Sequence, residues 1–145
     1  MKLLVINGPN LNLLGYRNPD VYGSQTLEQI ESELANYCKS LSIDVSFFQS
    51  NHEGEIIDCI HSALNVKDAI IINPGAYTHY SYAIHDAIEA VCLPCVEVHI
   101  SDIYEREPWR AISVIKPACI DQICGLGDNC YFKAIDILQE HLQNG

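Results

Sequence analysis

The sequence predicts an α/β chain, a doubly wound three-layer fold around a five-stranded parallel sheet. Three observations lead there. Five strand-like runs alternate with helical patterns along 145 residues, as successive βαβ units with right-handed crossovers do. The first and third runs, Lys2–Asn7 and Asp68–Asn73, are almost wholly apolar, the mark of central strands covered on both faces. The residues with chemistry fall in the loops after strands one, three and four, where sheets of this kind bind ligands.

After the first strand comes a Gly- and Pro-punctuated segment of seventeen residues, Gly8 to Ser24. That is too long for a mere connection and suggests a binding loop, with a lid over about residues 15–25. Thr26 and Gln29 fit a capping box, and Leu27, Ile30, Leu34 and Leu41 keep helical spacing, so a helix is expected from about Leu27 to Ser40. Ile43–Phe48 alternates like a half-exposed strand near the sheet edge. A second helix should turn Ile56, Ile57, Ile60 and Leu64 inward. The loop Pro74–His79 leaves strand three, and Thr78 or Ser81 could cap a third helix reaching about Ala90. The fourth strand runs from Pro94 to Ile100, residues 110–117 read as irregular or short strand, and Ile120–Cys124 is the fifth strand. Gly125-Leu126-Gly127 turns into a last helix, capped at Asp128 or Asn129, with Ile135, Leu138 and Leu142 on its core face. At this length the natural strand order is 2-1-3-4-5, the flavodoxin-like one, with its switch point between strands one and three.

Composition narrows the function. The length suits one domain spanning residues 1–145. No apolar run reaches the roughly 18 residues a membrane span needs, and the first six residues are too short for a signal peptide. A net charge of -11 argues against nucleic acid or an anionic membrane as partner. Seven cysteines, an odd number, suggest reduced thiols in a cytoplasmic protein. Cys92 and Cys95 form a C-x-x-C, but no second pair completes a zinc set, and small buried hydrophobes explain them better. Neither G-x-G-x-x-G nor a Walker pattern follows the first strand. The expectation is a site without metal or cofactor. An acidic chain that handles an anion needs a local cation cluster, and Arg17, Arg106 and Arg110 are its only arginines.

Two of those arginines follow the stretch Glu97-Val98-His99-Ile100-Ser101. With a period of two, Glu97 and His99 share one face of their strand. A carboxylate beside an imidazole orients the ring and selects its tautomer. The functional reading is an acid/base histidine with an anion-binding shell; the bland one is a buried ion pair beside two solvated arginines. Amides (Asn10, Asn12, Asn73), hydroxyls, His and Arg without metal signatures suit a small polyhydroxylated carboxylate and proton transfer. Lys2, Lys39, Lys67, Lys116 and Lys133 all lie away from these loops, which disfavours a Schiff base.

Asn7-Gly8-Pro9-Asn10-Leu11-Asn12-Leu13-Leu14-Gly15, Arg17, Val21-Tyr22-Gly23, Gln49 to Glu55, Ile72 to His79, Glu97 to Ser101, Arg106 to Arg110 and Gly125-Leu126-Gly127 together resemble type II 3-dehydroquinate dehydratases, in order and over nearly the whole chain. The resemblance implies a flavodoxin-like enzyme, assembled as a homododecamer of trimers, that dehydrates 3-dehydroquinate to 3-dehydroshikimate through an enolate without a cofactor. It implies Tyr22 as base, Arg17 stabilising tyrosinate and enolate, His99 as acid, Glu97 as its partner, and Asn10 on a water or the enolate oxygen. Asn73, His79, Asp86, Ile100, Ser101, Arg106 and Arg110 would hold the substrate. Lowering a phenol's pKa by three units takes about 4 kcal/mol, which two cations in a water-poor pocket can supply. Asp86 lies within a helix and reads equally well as a solvated residue. His85 stands where an arginine is expected before Asp86, and Tyr80 and Tyr82 where smaller residues are common. His52, His61 and His141 read as structural or surface residues. Two other classes compete: a flavodoxin-like module that binds without turnover, and an FMN protein, although the first loop lacks the phosphate cradle such a protein needs.

Overall fold

The computed structural model describes residues 1–145. Its strands are β1 (Lys2–Asn7), β2 (Asp44–Gln49), β3 (Ala69–Asn73), β4 (Cys95–His99) and β5 (Asp121–Cys124), all parallel, in the order β2-β1-β3-β4-β5. The helices are α1 (Pro19–Tyr22), α2 (Leu27–Ser40), α3 (Glu53–Ser62), α4 (Tyr82–Val91) and α5 (Asn129–Asn144). None is long and apolar enough to cross a membrane.

Alternation along the strands divides the core. Leu3, Val5, Ile71, Val96 and Val98 pack with Ile30 and Leu34 of α2 and Ile135 and Leu138 of α5. Leu4, Ile6, Ile70, Ile72 and Cys95 face the other way, against Ile56 and Ile60 of α3 and Ile84 and Ile88 of α4. Each fully buried isoleucine contributes about 1.5–3 kcal/mol of transfer free energy. Because β3 and β4 are buried at every position, a polar residue there must bring its own hydrogen-bond partners.

The capping box at α2 is formed: Gln29 N–H donates to Thr26 Oγ1 at 3.2 Å, and Thr26 N–H to Gln29 Oε1 at 2.9 Å. Ser81, not Thr78, caps α4, accepting the Ile84 N–H at 3.1 Å. Asp128 is the N-cap of α5 but makes no side-chain cap bond. Three further expectations need correction. Leu64 and Leu142 are exposed; Leu64 follows the end of α3, and the last turn of α5 runs past the sheet. The segment after β1 is not all loop, since it holds a 3-10 turn at Leu11–Leu13 and the single-turn α1. Leu11 and Leu14 bury into the core and anchor it. Residues 110–117 are irregular, the first of the two readings, with 3-10 turns at Pro108–Ala111 and Lys116–Ala118.

Glycine lets the two central loops meet at the carboxyl ends of β1 and β3. A Cβ on Gly8 would stand 2.7 Å from the Pro74 carbonyl oxygen. Gly75, at φ +58°, would put its own 3.1 Å from the Pro9 carbonyl oxygen. Only residues without a Cβ allow this approach, which brings the loops bearing Asn10 and Asn73 together.

Candidate active site

One cavity beyond the carboxyl ends of β1, β3 and β4 is lined by Asn10, Arg17, Tyr22, Asn73, His79, His99, Ile100, Ser101, Arg106 and Arg110, together with Leu11, Gly75, Ala76 and Ile103. All three arginines of this acidic chain therefore converge on one small space. Parallel strands place it there: the loops that follow β1, β3 and β4 leave the sheet at the same edge.

His99 and Glu97 end β4 on the face opposite Val96 and Val98. Glu97 has no exposed surface and His99 almost none. His99 Nε2 lies 2.5 Å from Glu97 Oε2. With a carboxylate as partner, Nε2 is assigned the proton, and Nδ1 is the ring nitrogen not committed to Glu97. The carboxylate has three other side-chain partners. It accepts from Thr78 Oγ1 at 2.5 Å, from Ser113 Oγ at 2.9 and 3.0 Å, and from Gln122 Nε2 at 3.0 Å. Burial pushes the Glu97 pKa up, but the hydrogen bond and charge of His99, with Thr78 and Gln122, outweigh it and hold the carboxyl below its usual range.

Tyr22 ends α1 and is held by two cations. Arg106 Nη1 donates to its hydroxyl at 2.7 Å and to Ser101 Oγ at 3.2 Å. The Arg17 guanidinium lies 4.2 Å from the ring centroid and that of Arg106 5.2 Å, both within cation–π range. Arg106, not Arg17, is thus the residue that meets the phenol oxygen.

Arg110 donates from Nε to Glu107 Oε2 at 2.8 Å, and Arg106 Nε lies 3.8 Å from Glu107 Oε1. Glu107 spaces the two guanidiniums, and the hydrogen bond from Arg110 holds its carboxyl below the usual range. His79 Nδ1 donates to the Ile112 carbonyl at 2.7 Å. Burial lowers the His79 pKa, and the charges of His99 and Arg110 lower it further against the pull of the Ile112 carbonyl and Glu97, so the ring is neutral at neutral pH.

Asn73 is set by a residue that escaped sequence reasoning. The fully buried Tyr131 of α5 donates to Asn7 Oδ1 at 2.5 Å and accepts from Asn73 Nδ2 at 3.2 Å. Asn73 Oδ1 accepts the Gly75 N–H at 3.2 Å. Both ends of the amide are therefore defined, and one Nδ2 hydrogen stays available. The only hint in the sequence was a tyrosine at helical spacing from Ala134 and Leu138, which reads as core packing. Thr78, Ser113, Gln122 and Glu107 were missed for a similar reason: each acts on a neighbour that is distant in sequence or carries no motif. Asn10 takes a left-handed conformation, φ 69°, and its N–H donates to Asn51 Oδ1 at 3.0 Å.

Asp86 is the sequence-derived site residue that the fold does not bring to the cavity within one chain. It lies on the outer face of α4, its side chain 77% exposed and bonded to His85 Nδ1 at 3.1 Å. Asp86 faces solvent because Ile84, Ala87 and Ile88 take the core positions of the helix, while His85 beside it is largely covered. Cys92 is exposed and Cys95 buried, and all seven thiols are free.

The fold and the cavity define an α/β protein of flavodoxin-like topology whose switch point carries a buried His–Glu pair and a tyrosine hydroxyl inside a cluster of arginines. Comparison with known proteins is specific. The family described as dehydroquinase class II matches residues 1–139, and the chain belongs to that family. A 3-dehydroquinate dehydratase of Caldicellulosiruptor saccharolyticus is 58% identical over 142 residues, covering 97% of this chain and 98% of the relative. The crystal structure of a type II dehydroquinase from Butyrivibrio crossotus superposes with a TM-score of 0.95 at 53% identity, covering 96% of this chain and 97% of that one. A 3-dehydroquinate dehydratase-like protein from Bifidobacterium longum is more distant, with a TM-score of 0.73 at 28% identity over 99% and 98% of the two chains.

Proposed function

We propose that this chain dehydrates 3-dehydroquinate to 3-dehydroshikimate by anti elimination through an enolate, in the shikimate pathway or in quinate breakdown. The observation that carries the proposal is the Tyr22 hydroxyl, in contact with Arg106 and flanked by Arg17, sharing one cavity with a histidine that is backed by a buried carboxylate.

Tyr22 takes the proton beside the ketone. To do so its oxygen must carry negative charge, and Arg106 and Arg17 stabilise that charge in a space where water screens little. As the enolate forms, negative charge moves to the former ketone oxygen, and Asn10 holds that oxygen directly or through a water. His99 gives a proton to the departing hydroxyl, while Glu97 stabilises the imidazolium and fixes the ring. Asn73, neutral His79, Ile100 and Ser101 hold ring hydroxyls, and Arg110, with the shared help of Arg106, holds the substrate carboxylate. The cavity as it stands has about 30 Å³ of open space, room for a water or two by volume. A six-membered carbocycle enters only if Tyr22 and its loop, about residues 15–25, move aside and then close again.

Enolate chemistry of this kind needs no electron sink, so no metal and no Schiff base is proposed. Turnover of 3-dehydroquinate, followed by the ultraviolet absorbance of the conjugated enone, should be unchanged after exhaustive chelation, and borohydride added during turnover should trap no adduct. Lost activity restored by a metal, or a reduced covalent adduct, would remove the cofactor-free route. Ligand binding without product would favour the non-catalytic module instead.

We further propose a cytoplasmic homododecamer. Seven free thiols suit a reducing compartment. Tyr80, Tyr82, Trp109 and Ile112 are all more than half exposed, apolar surface that an assembly would cover. Light scattering of the purified protein should give a particle of twelve chains; a monomer at micromolar concentration would rule that assembly out.

A further inference from the structure

The Glu97 carboxylate is held from several sides besides His99, and one of these holds runs out to the surface. Gln122 lies opposite Glu97 in the register of β4 and β5 and donates from Nε2 to Glu97 Oε2 at 3.0 Å. Its Oε1 accepts the hydroxyl of Tyr104 at 2.5 Å. Tyr104 stands on the 3-10 turn Ile103–Glu105, two residues before Arg106. The oxygen and nitrogen of an amide have nearly the same shape, so partners alone decide which way it points. A hydroxyl donated to Oε1 and a carboxylate accepting from Nε2 select the same orientation. The flipped amide would set a carbonyl oxygen against a buried negative charge.

We propose that Gln122, oriented by Tyr104, is a positioning residue that keeps Glu97 an ionised acceptor for His99. The kinetic part of this inference rests on the dehydration reading; its spectroscopic part does not. The titratable groups facing Glu97 are His99 on the same strand, His79 from the turn after β3, Cys95 at the start of β4, Cys124 on β5 and Tyr104. Burial raises the Cys95 thiol and the Tyr104 phenol and, with the charge of Glu97, pushes Cys124 up to about 12. Those three stay neutral on the acid side. Of the groups left to titrate there, Glu97 is the one Gln122 touches.

A donor lost from a buried carboxylate raises its proton affinity by about one pH unit. The test follows the ¹³C shift of the Glu97 carboxyl against pH in glutamate-labelled protein, together with KM at neutral pH, the resonance being assigned by its absence in Glu97→Gln. Gln122→Met keeps the side-chain length without the donor. The Glu97 midpoint should rise by about one unit, while KM at neutral pH stays within about twofold. In Tyr104→Phe water can replace the phenol, because Tyr104 is half exposed, so about half that shift is expected. The double variant should match Gln122→Met alone, since Tyr104 acts only through Gln122. An unmoved Glu97 midpoint in Gln122→Met, or a Tyr104→Phe shift that adds to it in full, overturns the proposal. If Gln122→Met does not fold, an unmoved midpoint in Tyr104→Phe overturns it. If the parent protein does not dehydrate 3-dehydroquinate, the dehydration reading fails, and the Glu97 midpoints still decide this one.

Discussion

Tyr22→Phe should lower kcat for 3-dehydroquinate by about a thousandfold, the scale of a positioned general base, with KM changed only a few-fold. The ring stays between Arg17 and Arg106 and continues to fill the cavity wall, so substrate still binds. What disappears is the oxygen that Arg106 meets at 2.7 Å. Arg106 retains Ser101 as a partner, and Tyr22 is only partly buried. Stability should therefore fall by no more than about 1 kcal/mol. Circular-dichroism melts of parent and variant separate lost chemistry from lost fold. Turnover within tenfold of the parent in a folded variant would take the base role away from Tyr22.

His99→Ala should be costly twice. Loss of the acid should reduce kcat by about a hundredfold to ten-thousandfold, because the departing hydroxyl then leaves without a proton donor. The same change strips a fully buried carboxylate of its charged partner. Breaking a buried pair costs about 3–5 kcal/mol, and the lower end applies here, since Thr78, Ser113 and Gln122 still donate to Glu97.

The pH dependence of that penalty has a definite sign. In the folded parent the Glu97 carboxyl lies below its ordinary value, so the unfolded chain takes up its proton first as pH falls. Its contribution is complete above the unfolded value, roughly 4.3, and is lost as pH falls through the depressed folded one. Without His99 the desolvation of Glu97 is less opposed and its folded pKa rises. The variant then binds the proton that the parent refuses, and the stability gap narrows towards acid. Urea unfolding at pH 7 and pH 4.5 should show a smaller difference between parent and His99→Ala at the lower pH. A gap that widens there would mean that His99 does not hold Glu97 ionised.

Much of this was legible in the sequence because its signals are local. Apolar runs gave β1 and β3, alternation gave the edge strand β2, the Thr26–Gln29 box gave the start of α2, and Glu97 with His99 needed only a period of two. Parallel topology then sent the loops bearing Asn10, Asn73 and His99 to one edge, so the candidate site followed from fold class. Leu64 and Leu142 went otherwise because helical spacing says which face a residue shares, not where the helix ends or what covers that face.

By itself, then, the sequence placed Glu97 and His99 on one face of their strand and the loops after β1, β3 and β4 at one edge of the sheet, since each depends on patterns a few residues long; Tyr22 and Arg17 were singled out for their roles only by the family resemblance. Only the tertiary structure decided that Arg106 is the cation on the Tyr22 hydroxyl, 84 residues away. It alone decided that Tyr131 fixes Asn73 from 58 residues away, and that Thr78, Ser113 and Gln122 close around Glu97. Hydrogen bonds between distant segments leave no periodic trace along a chain. They exist because packing two layers of helices on the sheet forces buried polar atoms to find partners among whatever groups the fold brings near.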